Sequence, residues 1–250
     1  MSLHSTEAFV LRTYSLAEAD KICIFLTKEM GKVRGVAHGA RKIKSRFGSA
    51  LEPFTQVALT YYQKEGRELM SISTCDILRS HFYQGARDVQ TATAFSYMSE
   101  LLIEFLPEHD PNEKYYRLVA AALDAIDQKK NLDLVLRYFE VWALRLAGFF
   151  PDTGRCSVCG EPVAADDSTY LAVDGSPRCD SCSSGNGMPV GPAMRSLITR
   201  ILGAHPLQID DAAVSRAMTA QLGEINYQII RHALERDLRS HPMLRQMNAG

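Results

Sequence analysis

The sequence predicts an α+β chain. A small five-stranded β-barrel is expected over residues 1–80, then an α-helical domain over 81–250 with an inserted four-cysteine module at about 152–188. Three observations predict it. Apolar residues alternate or cluster in short runs up to about residue 80, and recur at helical spacing after about 85. Gly31, Gly35, Gly39, Gly48, Pro53 and Gly66 punctuate the first part as turn residues. Two C-x2-C pairs, Cys156/Cys159 and Cys179/Cys182, stand 19 residues apart in the second.

The expected strands are Phe9 to Leu11, Ile22 to Leu26, Val33 to Val36, Val57 to Tyr62 and Leu69 to Leu78. In the fourth, Val57, Leu59 and Tyr61 share one face while Ala58, Thr60 and Tyr62 share the other. Glu29 to Lys32 and Lys64 to Arg67 have the composition of hairpin turns. Five strands in about 75 residues fit a closed barrel, of which the OB-fold is one kind and an SH3-like barrel the rival. Cys23 and Cys75 fall in strand patterns and are expected as core thiols.

Beyond the barrel, Phe95, Met98, Leu102 and Phe105 follow 3-4-3 spacing, as do Leu132, Val135, Phe139 and Trp142. Asp110-Pro111 supplies a cap and a first-turn proline for a helix running to about Asp127. Further helices are expected near 192–203 and 211–239. These stripes are core faces and carry no chemistry of their own.

Composition narrows the function classes. The chain is 46% apolar and 23% charged, which excludes a disordered or collagen-like polymer. It holds no run of 18 uncharged apolar residues, so no membrane span is expected. Met1 to Glu7 lacks the basic start and apolar stretch of a secretory signal. The expected location is the cytoplasm, where thiols stay reduced and six cysteines need a role other than disulfides.

Two C-x2-C pairs at this separation are the pattern of a four-ligand, all-cysteine zinc site. Each pair makes a knuckle that brings two thiolates to about 2.3 Å from one metal, and two knuckles complete a tetrahedron. Gly160 suits the turn after the first knuckle. Ser168 to Val173 reads as a strand, with Asp174-Gly175 as its turn. A redox dithiol needs only one pair, usually inside a βαβ unit. A deaminase zinc needs an H-x-E or C-x-E partner and P-C-x-x-C, but Val158 follows Cys156 at i+2 and Pro177 is one residue too far from Cys179. Metal-free buried cysteines are a further reading. One structural Zn2+ held by Cys156, Cys159, Cys179 and Cys182 is the expectation, with no open position for a substrate.

Charge supplies the second signal. Residues 1–50 hold nine Lys or Arg against four acids, although the whole chain has a net charge of −1. Lys32 and Arg34 share a strand face, and the glycine-flanked loop 39–48 adds Arg41, Lys42, Lys44 and Arg46. Such cations track phosphates without reading sequence. Phe47, Phe54, Tyr61 and Tyr62 are candidates for stacking on bases, or else core residues. No G-x-S-x-G, H-E-x-x-H, P-loop or G-x-G-x-x-G motif occurs, and none of the seven histidines pairs at i+4. A non-enzymatic binding protein is expected.

The combination resembles the bacterial RecO family of DNA recombination and repair proteins. Thr6 to Arg12 followed by Glu18-Ala19-Asp20 resembles its opening strands; Gly39 to Lys42, Ser45 to Phe47 and Leu51 to Phe54 resemble its most recognisable segment. Phe149-Phe150-Pro151 running into the four cysteines resembles its zinc-bearing members, and 231–244 is a looser match to its C-terminal helix. The resemblance implies an N-terminal OB-fold, a helical C-terminal domain and a structural zinc module. It also implies binding of single- and double-stranded DNA, annealing of complementary strands, and action with RecR to help load RecA onto SSB-coated DNA, in a cytoplasmic, nucleoid-associated setting. The rival reading is a zinc-containing protein-interaction or regulatory module without a direct DNA role.

Overall fold

The architecture is that of a computed structural model, which describes residues 2–63, 66, 68–81 and 88–248. Five strands close into a barrel: β1 (Ser2–Leu16), β2 (Asp20–Thr27), β3 (Gly31–Ala37), β4 (Gln56–Gln63) and β5 (Met70–Arg79), in the order β1-β2-β3-β5-β4. One long strand makes closure possible. The first part of β1 pairs with β4 and the second with β2, and the register shifts between Val10 and Arg12. A bulge there bends the strand around the barrel. The seam between β3 and β5 is parallel and short, pairing only Gly35 with Met70 and Val36 with Ser71. A closed five-stranded barrel with this crossover is the OB-fold.

The lower half of β3 is covered by other means. His109 N–H donates to the Lys32 carbonyl at 2.9 Å, and Glu108 bridges Lys32 in parallel. At Gly31, with φ of +67°, a Cβ would overlap the Asp110 carbonyl. Glycine is thus required both by conformation and by the close approach of another backbone. This contact corrects the expected cap. Asp110 lies against the barrel, and the helix starts at Glu113, with the Asn112 side chain accepting from Lys114 N–H at 3.2 Å.

The barrel core gathers alternate residues of all five strands, including Val10, Phe25, Val33, Leu59 and Ile72. Cys23 and Cys75 lie in it as expected, and burial pushes both thiols up to about 12. The turn at Glu29 to Lys32 is observed: Thr27 Oγ1 donates to the Gly31 carbonyl at 2.9 Å and accepts from Met30 N–H at 3.0 Å. The expected turn at Lys64 to Arg67 falls mostly outside the described residues.

Among the described residues the α-helices are α1 (Val89–Phe105), α2 (Glu113–Asp127), α3 (Leu132–Leu146), α4 (Asp180–Ser183), α5 (Pro192–Gly203), α6 (Arg216–Leu234) and α7 (His241–Asn248). Asp88 caps α1 through the N–H groups of Gln90 and Thr91, and Asn131 caps α3 through Leu134. The helix expected over 211–239 is divided. A 3-10 turn at Asp211–Ala213 comes first, Ser215 caps α6, and Glu235 ends it in the left-handed region at φ of +55°. Contacts group the chain into two compact units, Met1–Arg117 with Arg239–Gly250, and Leu118–Leu238. The barrel's unit therefore includes α1 and α7, whereas the change from strands to helices falls between Ser80 and Val89. Within it, Glu100 of α1 accepts from the N–H groups of Arg239 and Ser240, both at 2.9 Å, at the start of α7.

In the second unit, α3 packs against α5 and α6. Arg137 and Glu140 of α3 form a buried pair at 2.7 Å, and Asn226 Nδ2 of α6 donates to the other Glu140 oxygen at 2.9 Å. The same unit holds a three-stranded sheet of β6 (Thr169–Leu171), β7 (Pro177–Arg178) and β8 (Met188–Val190), in the order β7-β6-β8.

Candidate metal centre and nucleic-acid interface

The two C-x2-C pairs form two knuckles. In the first, Gly160 N–H donates to the Cys156 carbonyl at 3.0 Å, and Gly160 takes φ of +75°, which closes a turn that a side chain would strain. In the second, Cys179 stands at the cap of α4, and Ser183 N–H donates to its carbonyl at 2.9 Å. The knuckles are tied to each other, since both the N–H and the hydroxyl of Ser157 donate to the Pro177 carbonyl at 2.8 Å. Asp174-Gly175 turns β6 into β7 as expected, with Gly175 N–H donating to Ala172 at 2.8 Å.

The four sulfurs lie within 4.8 Å of one another, and Cys159 Sγ is 3.9 Å from Cys179 Sγ. A tetrahedron with metal–sulfur bonds of about 2.3 Å has edges of about 3.8 Å, so the spacing fits a zinc-sized ion. All six cysteines of the chain are free of disulfides. The electrostatics fit as well. Amide N–H groups of Cys159, Cys179 and Val158 bring the Cys156 thiol down to about 6. The neighbouring sulfur of Cys179, then burial and the other two sulfurs, push Cys182 up to about 12. One thiolate is favoured and further ones repel it, a set that a divalent cation would satisfy.

The module has an anchor that its own sequence does not mark. Arg195 of α5 donates to the carbonyls of Val163, Ala164 and Asp167 in the loop between the knuckles, at 2.9, 2.5 and 2.8 Å. Thr169 Oγ1 donates to the Thr153 carbonyl at 2.6 Å. Nothing in the local pattern around Arg195 marks it, because its partners are backbone groups about thirty residues away.

The six expected phosphate-binding cations separate into two groups. Lys32 is buried: its ammonium donates to the Ile103 carbonyl at 2.7 Å and lies 3.5 Å from Glu108. Burial holds it below the ordinary lysine range, with Glu108 pulling the other way. Arg34 is half-exposed, but its guanidinium also holds Glu108, at 2.9 Å. Alternation put both on one face correctly, yet the strip at 103–109 covers that face. Lys32 is therefore turned away from the candidate surface, and Arg34 shares its one acidic partner, Glu108, with Lys32.

The loop cations remain open. Arg41, Lys42, Lys44 and Arg46 are all exposed, and among the described residues none of them pairs with an acid within 4 Å. Their backbone is anchored. Asp20 accepts from Gly39 N–H at 2.8 Å and contacts His38 Nδ1 at 2.7 Å; chiefly the Gly39 amide, then His38, holds its carboxyl below the usual range. Arg41 donates its N–H to Ala19 at 2.9 Å and its Nη1 to the Ala17 carbonyl at 2.8 Å. Arg46 stacks over the Phe47 ring at 4.9 Å. The acceptors are neutral carbonyls, and they position the arginines without an acid in contact. Phe47, Phe54 and Tyr61 belong to the core and are unavailable for bases; Tyr62 alone of the four is exposed. The even spacing from Val57 to Tyr61 already carried that signal.

Family comparisons fall on both parts of the chain. The family model Recombination protein O N terminal matches residues 1–81, and Recombination protein O C terminal matches residues 86–242. A DNA repair protein RecO of Anaeromyxobacter sp. (strain K) is 32% identical over 232 residues, covering 93% of this chain and 89% of that protein. One from Bifidobacterium adolescentis is 32% identical over 98% of this chain and the whole of its own length. Another, from Koribacter versatilis, is 39% identical over 175 residues, 69% of this chain and 70% of its own.

Proposed function

Because the chain belongs to the Recombination protein O (RecO) family, whose place is in recombination repair, we propose that it acts there as a mediator without turnover. It binds single- and double-stranded DNA through the loop 39–48, anneals complementary strands, and with RecR helps load RecA onto SSB-coated DNA at the nucleoid. The observation that carries this reading is the group Arg41, Lys42, Lys44 and Arg46, exposed without acidic partners on a loop anchored through Asp20. Phosphates repel when two strands approach, and an exposed row of cations on an anchored loop screens that repulsion without choosing sequence. The same reading assigns the four thiolates to one structural zinc, which when bound cross-links the two knuckles.

The test is salt-dependent binding. Each phosphate neutralised on a single strand contributes about 0.7 to the log–log salt slope. Replacing Arg41, Lys42, Lys44 and Arg46 together by Ala is expected to lower the slope by up to about 3, similarly across sequences, and to weaken annealing in parallel. Lys32→Ala is expected to leave the slope unchanged, since its ammonium already faces protein. Wild-type affinity and slope in the fourfold variant would refute the loop as the DNA surface and favour a protein-interaction role for the barrel.

A further inference from the structure

We propose that a second phosphodiester-binding surface lies in the Leu118–Leu238 unit, in the cleft between α5 and the segment leading into the first zinc knuckle. This deepens the DNA-binding reading and rests on it. The cleft has a volume of about 560 Å3, and its lining includes Arg145, Arg195 and Arg200 with Asp152 as the single acid. Its walls include the partly exposed Pro151 and Leu202, apolar surfaces against which sugar and base faces can rest.

Three features favour a polyanion. First, the charge is local. Between Leu118 and Leu238 the chain carries eleven Lys or Arg and fifteen Asp or Glu, so an acidic unit concentrates three guanidiniums in one cleft. Second, the charges are available. Arg145 and Arg200 are exposed, and among the described residues neither pairs with an acid within 4 Å. Asp152 accepts from Gly154 N–H at 3.0 Å and keeps its charge, so the cleft sets three guanidiniums against one carboxylate. Third, the floor is set in advance. Arg195 is fixed by three backbone carbonyls, neutral acceptors that leave its charge uncompensated. Arginine presents planar forked donors that match phosphate oxygens. Arg145 and Arg200 each stand in the last turn of a helix, where a cation is also favoured by the helix dipole. That accounts for their tolerance at those positions, and not for their convergence with Arg195 on one cleft.

The occupant is a nucleic-acid strand, and the probe is a labelled oligo-dT strand with full-length protein. Arg145→Ala with Arg200→Ala is expected to lower the salt slope by about 1.4, two phosphates at about 0.7 each. The decrease should appear both in the wild-type loop and in the fourfold loop variant. Arg145→Lys with Arg200→Lys keeps the charge and should retain most of the slope. Thr199→Glu, which places a carboxylate in the cleft, should weaken binding in the same direction even if the double alanine variant folds poorly. Unchanged slope and affinity in the folded alanine and glutamate variants would overturn the proposal. So would loss of binding to an acidic peptide with oligo-dT binding intact. Failure of the loop reading shows separately, as an unaffected fourfold loop variant whose slope still falls with the arginine pair.

Discussion

Gly223 lies where helix α6 crosses the buried Arg137–Glu140 pair, and Gly223→Ala tests what that pair contributes. On propensity alone the change stabilises, since alanine in a helix interior gains about 1 kcal/mol over glycine. The structure reverses the sign. A Cβ on residue 223 would overlap Nη1 of Arg137 and stand 2.9 Å from its Cζ. The guanidinium terminates a flexible side chain, but it has nowhere favourable to go: Arg137 and Glu140 are 6% and 1% exposed, and Glu140 also holds Asn226. Displacing one partner of a buried pair costs about 3–5 kcal/mol. The expected net loss is therefore about 2–4 kcal/mol after the propensity gain. Urea unfolding followed by circular dichroism reads it as a lower midpoint at unchanged slope. The double-mutant cycle gives the control, because in an Arg137→Ala background the same Gly223→Ala change should stabilise by about 1 kcal/mol. If Gly223→Ala alone is as stable as the parent, the guanidinium swings aside freely and the pair does not set the approach of these helices.

Elemental analysis is expected to find one zinc per chain, and chelation or Cys182→Ser should expose the amides of the 152–190 region to hydrogen exchange while the barrel amides stay protected. Zinc binding by small modules is worth about 10–16 kcal/mol in peptides, so absence of metal with unchanged stability after chelation would remove the assignment. Glu100 gives a pH dependence. Burial alone would raise its carboxyl, but the Ser240 hydroxyl and the N–H groups of Arg239 and Ser240 outweigh burial and lower it. A depressed carboxylate stabilises above its unfolded pKa, near 4.3, and loses that contribution as pH falls through the folded value. Hydrogen exchange of the Leu244 amide should rise over that acid range. Glu100→Gln should raise it already at neutral pH and flatten the acid dependence, whereas identical exchange in both proteins would show that the carboxylate does not hold α7.

Features encoded by near neighbours were the legible ones. Strand alternation located the barrel, and cysteine spacing located the knuckles, because a C-x2-C turn is a local object. The four cysteines come together in space for that reason. What escaped were contacts made by distant backbone. Asp110-Pro111 has ideal cap chemistry, yet the carbonyl of Asp110 packs closely against Gly31 and the helix begins later. Lys32 alternates with Val33 as a surface lysine would, and only Ile103 and Glu108, more than seventy positions away, make it interior. Arg195 was unmarked for the same reason. The apolar period from Ile225 to Leu238 runs past Glu235 and says nothing of the Ser215 cap, since both features depend on backbone conformation that periodicity does not report.

The short seam of the barrel has a consequence for how the chain can be shortened. Only two residue pairs join β3 to β5, so the stretch of β3 before Gly35 relies on Glu108 and His109 to occupy its edge. An uncovered strand edge is a template for another chain. A fragment ending near residue 80 retains all five strands but loses that cover, and it leaves the Lys32 ammonium without Ile103 or Glu108. Such a fragment is expected to self-associate, and cations gathered in its assemblies would capture DNA for reasons unrelated to the loop. A fragment carried through Arg117 keeps its edge closed. The last strand of this barrel is thus not the last part of the chain needed to make the barrel a well-behaved solute.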